Sequence, residues 1–222
     1  MTNKPTACFL ATAFALVALA APALAQNPGI DYIGYGWETG GLLPSEAGDE
    51  LVVAAVATGA DPVFQVDFGV DELTFHMYGM TSGGEVPLGG GAVMVNYSGG
   101  FLDIYRDPAK NADWGVNPPN AVAPATFVDG ALAFRGEFTS LTFYYAADGS
   151  GAYEGALNGL DGEVIDDVCA NCAYTWGGSF TLAAGAQIPD GYHVQIDGML
   201  ELDGSVANED STWGGVKALY GN

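Results

Sequence analysis

A period of two in the apolar residues constrains this chain more than any other feature. Leu73, Phe75 and Met77 alternate with Thr74 and His76, and most other apolar stretches follow the same pattern. Successive side chains of a β-strand point to opposite faces, so this spacing gives each strand one apolar and one polar face. Such strands are typical of antiparallel sheets that cover a core with one face.

The alternation also predicts which side chains share a face, because a slip of one residue would turn a whole strand over. The residues expected to point into one shared core are Phe75, Ile104, Phe134, Phe143, Ile196 and Leu200. The residues expected to face outward are His76, Arg135, Gln195 and Glu201.

Glycine, proline and aspartate separate the alternating stretches, and Ser98-Gly99-Gly100 predicts a hairpin turn. We predict an all-β fold, an antiparallel β-sandwich or β-roll of about ten strands. Trp213, Val216 and Tyr220 would share one side of a short C-terminal helix over residues 211–220. Residues 107–126 form a long proline-rich loop in this prediction, and residues 26–48 are expected to be partly irregular.

The first 25 residues have the features of a secretory signal peptide. Lys4 precedes an almost wholly apolar run over residues 7–20, and Ala23-Leu24-Ala25 offers small residues for cleavage. The run is too short to span a bilayer. We expect export by the general secretory route, cleavage before Gln26, and a single all-β domain over residues 26–222. The protein is then secreted or periplasmic, with no membrane anchor.

The chain is strongly acidic, with 27 acidic and five basic side chains and a formal net charge of −22. After cleavage the basic residues are Arg106, Lys110, Arg135 and Lys217. This charge repels phosphate backbones and anionic lipids, so nucleic acid and acidic membranes are not expected partners. Aromatic residues make up 12% of the chain. Disordered proteins contain few aromatic side chains, so this composition predicts a folded protein.

Two local motifs carry predicted covalent or metal chemistry. Cys169 and Cys172 are the only cysteines after residue 25, and an oxidising compartment predicts a disulfide between them. Calcium is the ion that suits an acidic exported domain, and its candidate ligands cluster in one stretch. These candidates are Asp161, Glu163, Asp166 and Asp167. The alternative is that they are solvated turn carboxylates, since aspartate is common in turns. No other cofactor is expected.

Trp114 and Asp113, in the proline-rich loop, together with Tyr105, form a candidate ligand platform. The alternative is that these rings fill the core or cover strand edges. The chain has no G-x-S-x-G motif and no glycine-rich phosphate loop that opens a helix. We therefore do not expect an enzyme.

The primary functional hypothesis is an exported, soluble, acidic β-sandwich that acts as a structural or ligand-binding module. Its ligand would be a small molecule, a glycan or a protein. The first alternative is an eight-stranded outer-membrane β-barrel, in which the faces would be reversed and polar side chains would line the interior. The second is a secreted hydrolase acting on polysaccharide, for which the acidic composition and the compartment are the arguments.

Overall fold

The computed structural model describes residues 27–162, 172–182 and 187–203. These ranges contain two three-residue 3₁₀ helices, Pro62–Phe64 and Ala125–Phe127, and nine strands. The strands are β1 (Gly29–Glu38), β2 (Glu50–Ala60), β3 (Glu72–Gly89), β4 (Ala92–Ser98), β5 (Phe101–Asp107), β6 (Ala131–Tyr145), β7 (Ser150–Asp161), β8 (Ala173–Thr181) and β9 (Val194–Asp203). Within the described ranges, no helix is long and apolar enough to cross a membrane. The predicted signal peptide and the predicted helix at 211–220 lie outside the described residues.

Eight strands close into an antiparallel barrel, in the order β1-β2-β3-β5-β6-β7-β8-β9. Closure occurs where β9 pairs with β1, from Gly29 opposite Glu201 to Gly36 opposite Val194. The all-β prediction is confirmed, but the predicted sandwich is wrong. A sandwich and a barrel show the same alternation of apolar and polar residues. Alternation therefore does not reveal whether the first strand pairs with the last. The eight-stranded barrel of the alternative hypothesis is the observed architecture.

Strand β4 lies outside this ring of eight and extends one side of it. Both β4 and β5 run antiparallel to β3 and to β6, so they follow each other in the same direction. Gly99 and Gly100, with φ of 72° and 82°, join them without reversing the chain. The predicted hairpin turn at Ser98-Gly99-Gly100 is therefore wrong. Positive φ suits an irregularity within a strand as well as a turn, which is why glycine alone does not distinguish them.

Neighbouring strands are irregular at the same level of the barrel. In β3 the buried positions change from Phe75 and Met77 to Met80 and Ser82, and Gly79 between them has a φ of 73°. In β6 the register shifts between Phe138 and Ser140. A bulge adds one residue and bends its strand, so the apolar face continues to point inward beyond it.

The barrel interior is a packed apolar core. All six residues predicted to share the core belong to it and are at most 1% exposed, which confirms the predicted face of each strand. Aromatic rings fill the centre, where Tyr32 stacks on Trp176 at 5.6 Å and Phe143 stacks on Tyr153 at 5.0 Å. His76, Arg135, Gln195 and Glu201 lie at alternate positions on the outer face, as predicted.

The two ends of the barrel are closed differently. At the Phe64 end, where β2 leads into β3, Phe64 joins the core and the partly buried Val66 and Phe68 pack against it. At the Glu38 end, where β1 leads into β2, Leu42 joins the core from the connecting segment. We call residues 39–49 the strap.

The long connection between β5 and β6 covers part of the outer wall. It places Phe127 and Ala123 in a second apolar cluster with Trp37, Ala54 and Tyr192, on the outside of β1 and β2. The Thr74 hydroxyl on β3 donates to the Phe127 carbonyl at 3.0 Å. This part of the barrel therefore has an apolar layer on both faces of its wall.

Candidate functional site

Among the described residues, the side chains that point into the barrel leave little room for a ligand. A cavity lies between Phe64, Phe134 and Tyr174, and the volume that the centre of a water molecule can occupy in it is about 10 Å³. That is enough for about one water. Because the core is filled by its own side chains, a ligand would bind on the outside of the wall or at the barrel ends.

A buried carboxylate organises a cluster on the outer wall. Asp103 of β5 is 1% exposed although it points away from the core. Arg135 donates to it through two hydrogen bonds, Nε to Oδ1 at 2.7 Å and Nη2 to Oδ2 at 2.6 Å. The hydroxyls of Tyr78 and Tyr105 donate to Oδ2 at 3.2 and 3.1 Å. Four hydrogen bonds thus hold three side chains around one carboxylate.

Strand register explains this assembly. Asp103 is directly opposite His76 of β3 on one side and Arg135 of β6 on the other. Opposite charges at directly facing positions stabilise a pair of strands. Tyr78 lies two residues after His76, and Tyr105 lies two residues after Asp103. Residues two apart on a strand point to the same face, so both tyrosines are on the outer face with Asp103.

Aromatic rings border this group. His76 stacks on Tyr78 with a centroid distance of 4.9 Å, and Tyr78 contacts Phe101 at 5.8 Å. All three rings are partly exposed. We call His76, Tyr78, Phe101, Asp103, Tyr105 and Arg135 the outer-wall cluster. Two carboxylates lie beside it, because Glu137 is directly opposite Phe101 and the charge of Glu50 acts on His76.

The electrostatics fix which groups carry protons near neutral pH. Burial, followed by the charge of Asp103, raises the pKa of Tyr105 to about 12, and the same two causes raise the pKa of Tyr78. The hydrogen bonds that Arg135 donates to Asp103 raise the pKa of Arg135. Burial lowers the pKa of His76 against the opposing effects of Asp103 and Glu50. The tyrosines therefore donate, Arg135 is charged and His76 is neutral.

The residues of the predicted platform have separate partners. Trp114 donates from Nε1 to the Ala54 carbonyl at 2.9 Å, and its ring packs edge-on against Tyr35 at 5.1 Å. It fastens the long connection to the wall. Asp113 accepts the Gly115 amide at 2.9 Å within that connection. Tyr105 belongs to the outer-wall cluster instead.

The predicted disulfide and calcium site depend largely on residues outside the described ranges. Cys172 is buried, but Cys169 lies outside, so their pairing stays a prediction. Glu163, Asp166 and Asp167 also lie outside, and Asp161 accepts the amide of Gly162 at 2.8 Å. In the described part of the chain, no three histidine, cysteine or carboxylate side chains are grouped to hold a metal ion.

Sequence reasoning placed Arg135 outward but did not find the cluster around it. The signal was an isolated arginine in an acidic chain, at an outward position of a strand. Its partner could be found only from the pairing of β5 with β6. Comparisons of the chain with protein-family models, with curated proteins and with solved structures find no match.

Proposed function

We propose that this chain is an exported binding module, and that its outer-wall cluster binds a neutral glycan. One observation carries the proposal. Arg135 and two tyrosines are held in place by a buried aspartate, on the outside of a barrel whose inside is filled. A filled barrel offers ligands its surface, and this surface presents rings and hydrogen-bonding groups together.

The chemistry of the cluster suits a sugar chain. The C–H faces of sugar rings pack on aromatic side chains, and sugar hydroxyls pair with carboxylates and guanidinium groups. Tyr78 and Phe101 supply neighbouring rings from two adjacent strands. Arg135 and Glu137 supply polar groups on the third strand. The open, extended wall suits a chain of sugar units better than a compact ligand, which prefers a concave site.

Charge favours a neutral glycan over an acidic one. The chain has a net charge of −22, and Glu50 and Glu137 lie beside the cluster. The charge of Arg135 is already paired with Asp103. A sulfated or carboxylated polymer would meet repulsion at this cluster, where Arg135 already has its partner.

Fixed side chains also favour binding. Tyrosine and arginine lose rotational freedom when a ligand immobilises them, and that loss weakens binding. The hydrogen bonds to Asp103 impose this order before any ligand arrives. Rigid aromatic anchors of this kind are common in binding surfaces.

Two features support a secreted or periplasmic protein whose barrel is surrounded by water. Residues 1–25 have the pattern of an export signal. The outer face carries Asp31, Asp197 and Glu201, whereas a barrel in lipid turns an apolar band outward and polar residues inward. We therefore propose the barrel without the outer-membrane placement of the alternative hypothesis.

The test is an NMR titration of the mature protein with neutral hexasaccharides of glucose, xylose and mannose. At least one should shift the ring signals of Tyr78, Phe101 and Tyr105. Phe101→Ala removes a ring that makes no hydrogen bond to Asp103, so the rest of the cluster stays fixed. It should weaken binding by about tenfold, or about 1.4 kcal/mol.

Tyr144→Ala is the matched control, because Tyr144 is an exposed ring on the outer face of β6, away from the cluster. It should leave affinity unchanged. No shift with any of the three glycans, or equal losses in the two variants, would contradict the proposed site.

A further inference from the structure

Another buried carboxyl, that of Glu38, lies inside one end of the barrel, whereas Asp103 lies on the outer wall. Glu38 is the last residue of β1 and is 2% exposed. The Tyr97 hydroxyl donates to its Oε2 at 2.8 Å, and the Ser45 hydroxyl forms a hydrogen bond with its Oε1. The hydroxyls of Ser45 and Ser82 are 2.6 Å apart. Glu38 therefore links β1 to β4 directly through Tyr97, and to β3 through Ser45 of the strap.

The strap depends on these contacts. Ser45 is buried and comes from the strap, and Leu42 of the strap packs in the barrel core. The Gly48 amide donates to the Ser82 carbonyl at 2.9 Å, and the Ser82 amide donates to the Asp49 carbonyl at 2.8 Å. The strap therefore closes the Glu38 end, and the carboxyl of Glu38 lies beneath it.

The groups around Glu38 oppose its ionisation. Burial is the main cause that raises its pKa, to about 7, and the charges of Asp49 and Glu85 add to it. The hydrogen bonds from Ser45 and Tyr97 act in the other direction but do not offset burial.

The remaining titratable neighbours are neutral around pH 7. Burial raises the pKa values of Tyr97 and of Tyr145 on β6. His193 Nδ1 accepts the backbone amide of Glu38 at 3.1 Å, and burial lowers the pKa of this histidine. An ionised Glu38 would thus be a buried anion near the charges of Asp49 and Glu85, which is costly.

We propose that Glu38 is a proton-operated latch: the protonated carboxyl holds the strap closed over this end of the barrel, and its ionisation favours opening of the strap. A protonated carboxyl can donate to the Ser45 oxygen, and Ser45 can then donate to Ser82, so the network stays satisfied without a buried charge. The exposed carboxyl of the open form ionises at its ordinary pKa.

The direction follows from proton linkage. Glu38 binds its proton more tightly in the closed form, so closure is most favourable below the ordinary pKa of 4.5 and weakens as pH rises to about 7. Between pH 5 and 8 the opening equilibrium should rise by up to about 70-fold, if Glu38 is fully exposed when open. Above pH 8 it should level off.

Hydrogen–deuterium exchange at the strap tests this, with rates divided by the intrinsic rate at each pH. The amides of Gly48 and Ser82 are the reporters, because each donates a hydrogen bond between the strap and β3. Glu38→Gln keeps both hydrogen-bonding functions but does not titrate, so its corrected exchange should be flat between pH 5 and 8. Glu154→Gln, an exposed carboxyl on the outer face of β7, should behave as the wild type.

A flat wild-type profile, or a pH dependence that persists in Glu38→Gln, would overturn the latch. Should Glu38→Gln fail to fold, a ¹³C titration of the wild-type Glu38 carboxyl decides instead. A midpoint near 7 is expected, and a midpoint below 5 would overturn the proposal. Neither outcome bears on glycan binding, which involves the outer wall.

Discussion

Phe143→Ala tests the filled interior of the barrel. Phe143 is fully buried, and its ring contacts Tyr97, Tyr145, Tyr153 and Phe180 at centroid distances of 5.0–6.0 Å. Replacing a buried phenylalanine with alanine costs about 3–5 kcal/mol. The four neighbouring rings come from paired strands and are not free to close the cavity, so we expect about 4–5 kcal/mol.

Urea unfolding measures this loss, with tryptophan fluorescence as the signal, to which the buried Trp176 contributes. With a slope of about 2 kcal/mol per molar urea, the midpoint should fall by about 2 M. A domain stable by about 5–15 kcal/mol would lose a large part of its stability.

Tyr144→Ala is the control for Phe143→Ala. Tyr144 follows Phe143 directly in β6, but it lies on the outer face and is 47% exposed. Its cost should be under about 0.5 kcal/mol, as is usual for surface substitutions. A loss below about 1 kcal/mol for Phe143→Ala, or equal losses in both variants, would refute the argument that the interior is packed at this position.

Two further predictions concern the wall. Trp114→Phe removes the hydrogen bond to Ala54 and should cost about 1 kcal/mol. It should also speed proteolytic cleavage between residues 108 and 130, and an unchanged cleavage rate would contradict the anchoring role of Trp114. Asp103→Asn removes the charge beside Tyr105, so the pKa of this tyrosine should fall from about 12 part of the way towards 10. An NMR titration of the Tyr105 ring measures the shift, and an unchanged value would mean that burial alone sets it.

The inward and outward faces of the strands could be predicted from the sequence, but closure of the sheet could not. Alternation placed Phe134 inside and Arg135 outside, because burial of one face fixes both at once. The pairing of Gly36 with Val194 joins residues far apart in the chain, and no local pattern encodes it. Gly99 and Gly100 predicted a reversal because positive φ is common to turns and bulges.

The candidate site was hidden for the same reason. Asp103 is an acidic residue among 27, and nothing local marks it as buried. Its burial results from Arg135 on a strand that begins 24 residues after β5 ends, so it depends on register. Glu38 likewise is hydrogen-bonded by Tyr97, which is remote in sequence, and its partner Ser45 is bonded to the equally remote Ser82. Residue type and spacing predicted the faces of strands, while the sites arise between strands.

The pairing of β1 with β9 has a consequence for how the chain avoids self-association. Every other interface of the ring joins strands separated by at most one other strand, so a curled open sheet can form from near neighbours before the first and last strands meet. Until they meet, both present unpaired backbone amides and carbonyls, and β1 also carries Tyr35 and Trp37 on its outer face. Exposed edges of this kind recruit other chains. Closure therefore removes both edges in one step, and a substitution that weakens this seam should promote aggregation out of proportion to the stability that it costs.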